Sequence, residues 1–175
     1  GEIIGLVLLY VDDALIACSS GSGGETLLKK IKALYEWGTW ETKSFTQCGA
    51  QIVQSYDPLL KQWGGFTISM QEYANEIQLV NLSTSRRLQK EEKVTNHEQS
   101  LFRAIAGQLS WLAQQCCPKL VAPLSLLMGE TNCATVDTLL RANKLARQAL
   151  KWAAEPMCVH AHRNPMAVGC SDGGW

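Results

Sequence analysis

The stretch LLYVDDALIAC sets Asp12 and Asp13 side by side between two apolar runs. β-branched and aromatic residues crowd both flanks, so Ile3 to Val11 and Ala14 to Cys18 read as strands rather than helix. Two strands joined at an acidic pair turn back on each other as a β-hairpin with carboxylates at its tip. Flanks this apolar look buried, and ionised carboxylates are costly to desolvate unless something positive meets them. Two readings are open. In the plainer one the aspartates serve the turn, where Asp tolerates tight backbone geometry. In the sharper one the tip is a platform for Mg²⁺, a hard cation that binds carboxylates together with substrate phosphates. The turn carries no glycine and Tyr10 stands two positions before the first acid, which favours the sharper reading. With a third carboxylate from elsewhere, two Mg²⁺ ions roughly 4 Å apart could serve the attacking and leaving oxygens of a nucleotidyl transfer.

A chain of 175 residues is long enough to bury a core, and 46% hydrophobic against 18% charged residues argues against disorder. The 16 basic residues equal the 16 acidic ones, which weakens the case for a strongly basic nucleic-acid binder and leaves room for a local basic face. Seven cysteines form no CxxC pair and are odd in number, a pattern of free thiols in a reducing compartment. The run IIGLVLLYV is about half the length of a spanning helix, so no membrane segment is expected. Nor does the N-terminus have the shape of a signal peptide. Gly1 leads almost at once into a strand-like run and Trp175 follows Asp-Gly-Gly, so the chain reads as a segment of something longer.

Along the chain, Ser19 to Gly24 is a loop by composition and Glu25 to Trp37 a helix with lysines on one side. FTQCGAQIVQSY and WGGFTISM are expected strands of a hairpin turning near Asp57-Pro58, with Gly49, Gly64 and Gly65 as turn or bulge residues. Helices are expected over Gln71 to Leu82, Leu101 to Gln115, Leu120 to Met128 and Thr135 to Ala154, the last with Thr135 as N-cap. STSRRLQKEEKVTNHE reads as a polar connector, and Met166 to Ser171 as one last strand. In the fourth of these helices Arg141, Lys144, Arg147 and Lys151 share roughly one third of the circumference at about 100° per residue. That is either an ordinary solvated face or a track for phosphates, read without base specificity. Trp111 shares an apolar face with Ile105, Leu109 and Leu112, which favours core packing over base stacking. Cys116 and Cys117 read as free thiols near a helix end. Cys158, His160, His162 and Cys170 have zinc-ligand chemistry without a recognised spacing.

YVDD at Tyr10 to Asp13, inside an apolar hairpin, resembles the active-site motif of reverse transcriptases. Further blocks resemble the copia-type retrotransposon polymerases in family order over nearly the whole chain. FTQCGAQI is similar to their FLGIQI-like strand, GGFTISMQEYANEI to GGIFLSQEKYIEDLL, and SLFRAIAGQLSWLAQQCCPKL to YRSIVGSLLYLAQTTRPDI. LLRANKLARQALKWA sits where the family has HWKAAKRILRYLKGT, and GCSDGGW resembles GYSDADW, the opening strand of its ribonuclease H domain.

The resemblance implies an α+β fold: a partial palm with a small antiparallel sheet and a helix over 1–70, a helical thumb and connection bundle over 71–155, and a linker with the first ribonuclease H strand over 156–175. It implies RNA-directed DNA polymerase activity, with Asp12 and Asp13 as Mg²⁺-binding catalytic carboxylates. Tyr10 and Val11 would lie near the primer end and the incoming nucleotide, and the hairpin strands holding Cys48, Gly49 and Gln51 near the primer terminus, in the grip region. Arg141, Lys144, Arg147 and Lys151 would follow the nucleic-acid backbone, and Asp172 would be the first ribonuclease H acid. The implied partners are an RNA/DNA template–primer, deoxynucleoside triphosphates and the rest of the Pol polyprotein, with no membrane; the implied location is a cytoplasmic virus-like particle. Three departures stand out. The family's other palm aspartate and its fingers lie upstream of this chain, Cys117-Pro118-Lys119 replaces RPD, and Gly174 replaces the second acid of DAD. These departures also fit a different reading, a non-catalytic retroelement remnant that serves as a nucleic-acid-binding or protein-interaction module.

Overall fold

The computed structural model describes residues 5–11, 13–18, 21–57 and 62–159. As the apolar runs predict, β1 (Gly5–Tyr10) and β2 (Asp13–Cys18) pair antiparallel, from Gly5 opposite Cys18 to Tyr10 opposite Asp13. Helix α1 (Ser22–Leu34) follows, and its Leu27 lies over Gly5, where a Cβ would meet Leu27 Cδ2 at 2.7 Å. A second antiparallel sheet has the order β3 (Ser44–Gln47), β4 (Ala50–Asp57), β5 (Gln62–Ser69), β6 (Met157–Val159).

FTQCGAQIVQSY, expected as one strand, is two. Cys48 (φ 51°) and Gly49 (φ 80°) make a two-residue hairpin loop that places Gln47 opposite Ala50. Positive φ at both loop residues matches the twist of the flanking strands, and glycine adopts it without steric cost. Between β4 and β5 the register slips at Gln54/Ser55, so that Ser55 opposes Gly64 while Gln54 opposes Phe66. Gly65 is thus the bulge residue that the Gly-Gly pair predicts. The short strand β6 was not foreseen. The strand expected over Met166 to Ser171 lies outside the described residues.

The helical region differs from expectation at its boundaries. Helix α2 (Gln71–Glu76) stops at Ile77 instead of reaching Leu82. The reason is tertiary: Val80 donates its N–H to Asn143 Oδ1 (2.8 Å), and its C=O accepts from Asn143 Nδ2 (2.7 Å). A backbone tied to a side chain in this way is withdrawn from the helical ladder. The polar connector contains a further helix, α3 (Thr84–Leu88). Helix α4 (Asn96–Gln115) starts before Leu101, because Thr95 and Glu98 form a reciprocal capping box. A 3₁₀ turn at Pro118–Leu120 leads into α5 (Val121–Gly129), and α6 (Val136–Ala153) follows with Thr135 at its N-cap, as expected.

The core sits between α4, α5 and α6. Phe102, Ile105, Leu109 and Leu112 of α4 meet Leu124 and Leu127 of α5 and the buried stripe Leu139, Ala142, Ala146, Ala149 of α6. Alanines at this spacing let the helices approach closely on one face. Trp111 packs against this core half-buried, as its helical face predicts. Met70, Ala50 and Ala74 bring the second sheet and α2 into the same cluster. The fold is therefore α+β, small antiparallel sheets followed by a helical region. Among the described residues no helix is long and apolar enough to cross a membrane.

Candidate functional site

The acidic hairpin is built as the sequence implies in connectivity but not in environment. Tyr10 opposes Asp13, so the chain turns beyond Val11, and Asp13 opens β2 instead of sitting in the turn. Asp12 lies outside the described residues. Val11 has φ 55° and is 92% exposed. A β-branched residue in the left-handed region is a genuine outlier, at a cost of about 1–3 kcal/mol. Asp13 is exposed, and the flanks are not buried: Leu6, Leu8 and Leu9 are 67%, 62% and 67% exposed. This exposure has a simple cause. A lone two-stranded ribbon has two faces, and α1 covers only part of it. The desolvation cost that the apolar flanks suggested is therefore not felt by Asp13 within this chain.

Asp13 has no ion-pair partner among the described residues and is a hard oxygen donor of the type Mg²⁺ takes. Among those residues no group of three or more His, Cys, Asp or Glu is arranged to hold a metal ion. Cys158 is exposed at β6; His160, His162, Cys170 and Asp172 lie outside the described residues.

Around the β3–β4 turn the structure does bring expected residues together. Gly49 and Gln51 line one depression of about 30 Å³ with Thr46, Ser69 and Gln71. Gln71 donates through Nε2 to Asn75, while its Oε1 is buried without a hydrogen-bond partner among the described residues. Cys48 lies beside them at the turn, 3.7 Å from Gln47 Nε2. Among the described residues no hydrogen bond or ion pair joins this depression to the acidic hairpin.

The four cations of α6 are all exposed, on the side opposite the buried alanine stripe. They are not equivalent. Arg141 donates from Nε to Asp137 (3.0 Å) and from Nη2 to Glu130, which also accepts from Thr138 Oγ1 at 2.9 Å. The Arg141 guanidinium holds the Glu130 carboxyl below the usual carboxylate range, and Glu130 in turn raises the pKa of Arg141. Its charge is spent internally. Lys144, Arg147 and Lys151 have no carboxylate partner among the described residues. Arg147 lies in an open groove of about 250 Å³ between α6 and the Leu79–Asn81 segment, which Arg87 of α3 also lines. Sequence reasoning missed Arg87. It stands in a charge-rich connector, and no periodicity links it to a helix 60 residues further on.

Two other features are structural. Lys119, which stands where the resembling family has an acid, pairs with Glu155 at 2.6 Å, so the changed sign is met locally. Cys117 is buried and Cys116 half-buried; burial pushes both thiols up in pKa and keeps them protonated. Compared with known proteins, the chain matches no family model, no curated protein and no solved structure.

Proposed function

We propose that the chain is part of a copia-type reverse transcriptase, carrying the later palm, the helical thumb and connection, and the start of a ribonuclease H domain. The reading is carried by one observation: Tyr10 and Asp13 of YVDD pair across a tight hairpin in which Val11 is strained and exposed, and Asp13 is exposed beside it. The ordered motif blocks support it along the rest of the chain. Asp12 and Asp13 would hold Mg²⁺, which when bound supplies charge for the attacking and leaving oxygens of nucleotidyl transfer. The strained Val11 backbone fits a residue whose position matters more than its comfort. Gly49 and Gln51 line the surface offered to the primer, and Lys144, Arg147 and Lys151 offer unpaired cations to the template–primer backbone.

The test needs the longer polyprotein with its upstream segment. Asp12→Asn and Asp13→Asn should each lower Mg²⁺-dependent primer extension by at least a hundredfold while circular dichroism and duplex binding stay unchanged. Extension at the wild-type rate by either variant would remove that residue from catalysis. A second reading, a non-catalytic nucleic-acid-binding remnant, is favoured by the α6 cations, whose exposure owes nothing to the acidic hairpin. It predicts duplex binding with no extension even by the intact longer protein.

A further inference from the structure

The groove between α6 and the Leu79–Asn81 segment is lined by two arginines, unlike the depression at the β3–β4 turn. Arg87 and Arg147 come to it from elements far apart in sequence, and among the described residues no acidic one lines it. Neither arginine has a carboxylate partner among the described residues. Two like charges in one groove repel each other and raise its potential, an arrangement that an anion would relieve.

The groove is also preorganised. Arg87 donates from Nε to the C=O of Leu82 at 2.9 Å, which fixes the plane of its guanidinium and leaves both Nη groups as donors. The wall is stiffened from the α6 side, where buried Asn143 binds both the N–H and the C=O of Val80. Asn81 adds an exposed amide at the rim. A planar guanidinium held by one edge is suited to a tetrahedral oxyanion, which it meets with two parallel N–H bonds.

We propose that this groove is a phosphate-binding site in which Arg87 and Arg147 together hold the non-bridging oxygens of one nucleic-acid phosphodiester. The phosphate chemistry stands on the groove alone; the choice of a nucleic acid as its source rests on the function proposed above. Arg87 thereby becomes a binding residue, and the cationic track of α6 turns off its helix toward α3 instead of continuing to Arg141.

The experiment follows the arginine Nε–H resonances of the ¹⁵N-labelled chain, with inorganic phosphate in one arm and a short RNA–DNA hybrid duplex in the other. Both probes should shift the Arg87 and Arg147 signals. In duplex binding, Arg87→Gln and Arg147→Gln should each weaken affinity three- to tenfold and reduce the salt slope by about 1. Arg87→Lys keeps the charge but loses the fork, so it should restore the slope and only part of the affinity; Lys29→Gln on α1 should change neither. Silence of both arginine signals with both probes would overturn the site, and a duplex affinity and slope in Arg87→Gln equal to wild type would overturn its assignment to nucleic acid. A response to inorganic phosphate with none to the duplex would overturn its assignment to nucleic acid. None of these readouts involves Asp12, Asp13 or synthesis, so loss of the polymerase reading would leave them standing.

Discussion

Glu98 joins α3 to the start of α4 through one carboxylate. Its Oε2 accepts from the Thr95 N–H at 2.8 Å, closing the α4 capping box, and both its oxygens accept from Arg86 of α3 at 2.9 Å. Arg86 also reaches Glu92 and the C=O of Lys93, so a polar connector is clamped onto the start of α4. The Arg86 guanidinium, and then the Thr95 amide, hold the Glu98 pKa down from 4.5 to about 2. In the unfolded chain Glu98 takes up its proton first as pH falls. Its contribution is therefore complete above about pH 4.5 and lost as pH drops toward 2. The full shift corresponds to at most about 3 kcal/mol at this largely buried carboxylate. Urea unfolding of wild type and Glu98→Gln should accordingly show a gap that is constant from pH 7 to 5 and narrows below pH 4.5. A gap independent of pH would mean that the clamp does not depend on the ionised carboxylate.

At the scale of the element, the two hairpin loops make a natural comparison. Both turn in two residues and both use positive φ, yet one is Cys48-Gly49 and the other begins with Val11. Glycine meets this geometry freely; valine does so only under strain. Val11→Gly should relieve that strain against its own cost in chain entropy, for a net gain of up to about 1 kcal/mol. Slower hydrogen exchange of the β1 and β2 amides would register it, and faster exchange would show that Val11 is not strained in solution. If the hairpin acts as proposed, the same variant should synthesise DNA less well, because the exposed Val11 side chain is gone.

Across the whole molecule the net charge is zero, so any attraction for nucleic acid has to come from how the charges are sorted. Arg141 is neutralised by Glu130 and Asp137, Lys119 by Glu155, and Arg86 by Glu92 and Glu98. Lys144, Arg147 and Lys151 are left facing solvent together. Duplex affinity should therefore fall steeply with salt. Lys151→Gln should lower the slope by about 1, whereas Arg141→Gln should leave it unchanged. Equal effects of the two substitutions would show that the internal ion pairs open on binding.

Local pattern was sufficient for much of this fold. Short apolar, β-branched runs broken by turn residues specified the β1–β2 and β4–β5 hairpins, the 3.6-residue period specified α4 and α6, and Thr135 marked a helix start, because each signal is written within a few neighbouring residues. The acidic hairpin and the cationic face of α6 were legible for the same reason. Long-range contacts settled what remained. Asn143 cut α2 short by binding Val80, 63 residues away, and Met157–Val159 became a strand because β5 offered an edge. Only packing revealed that the apolar flanks of the aspartates are exposed, that Arg141 is occupied, and that Arg87 shares a groove with Arg147. Periodicity reports which residues lie on one face of an element; which face meets which, and which charge finds a partner, is a property of the assembled chain.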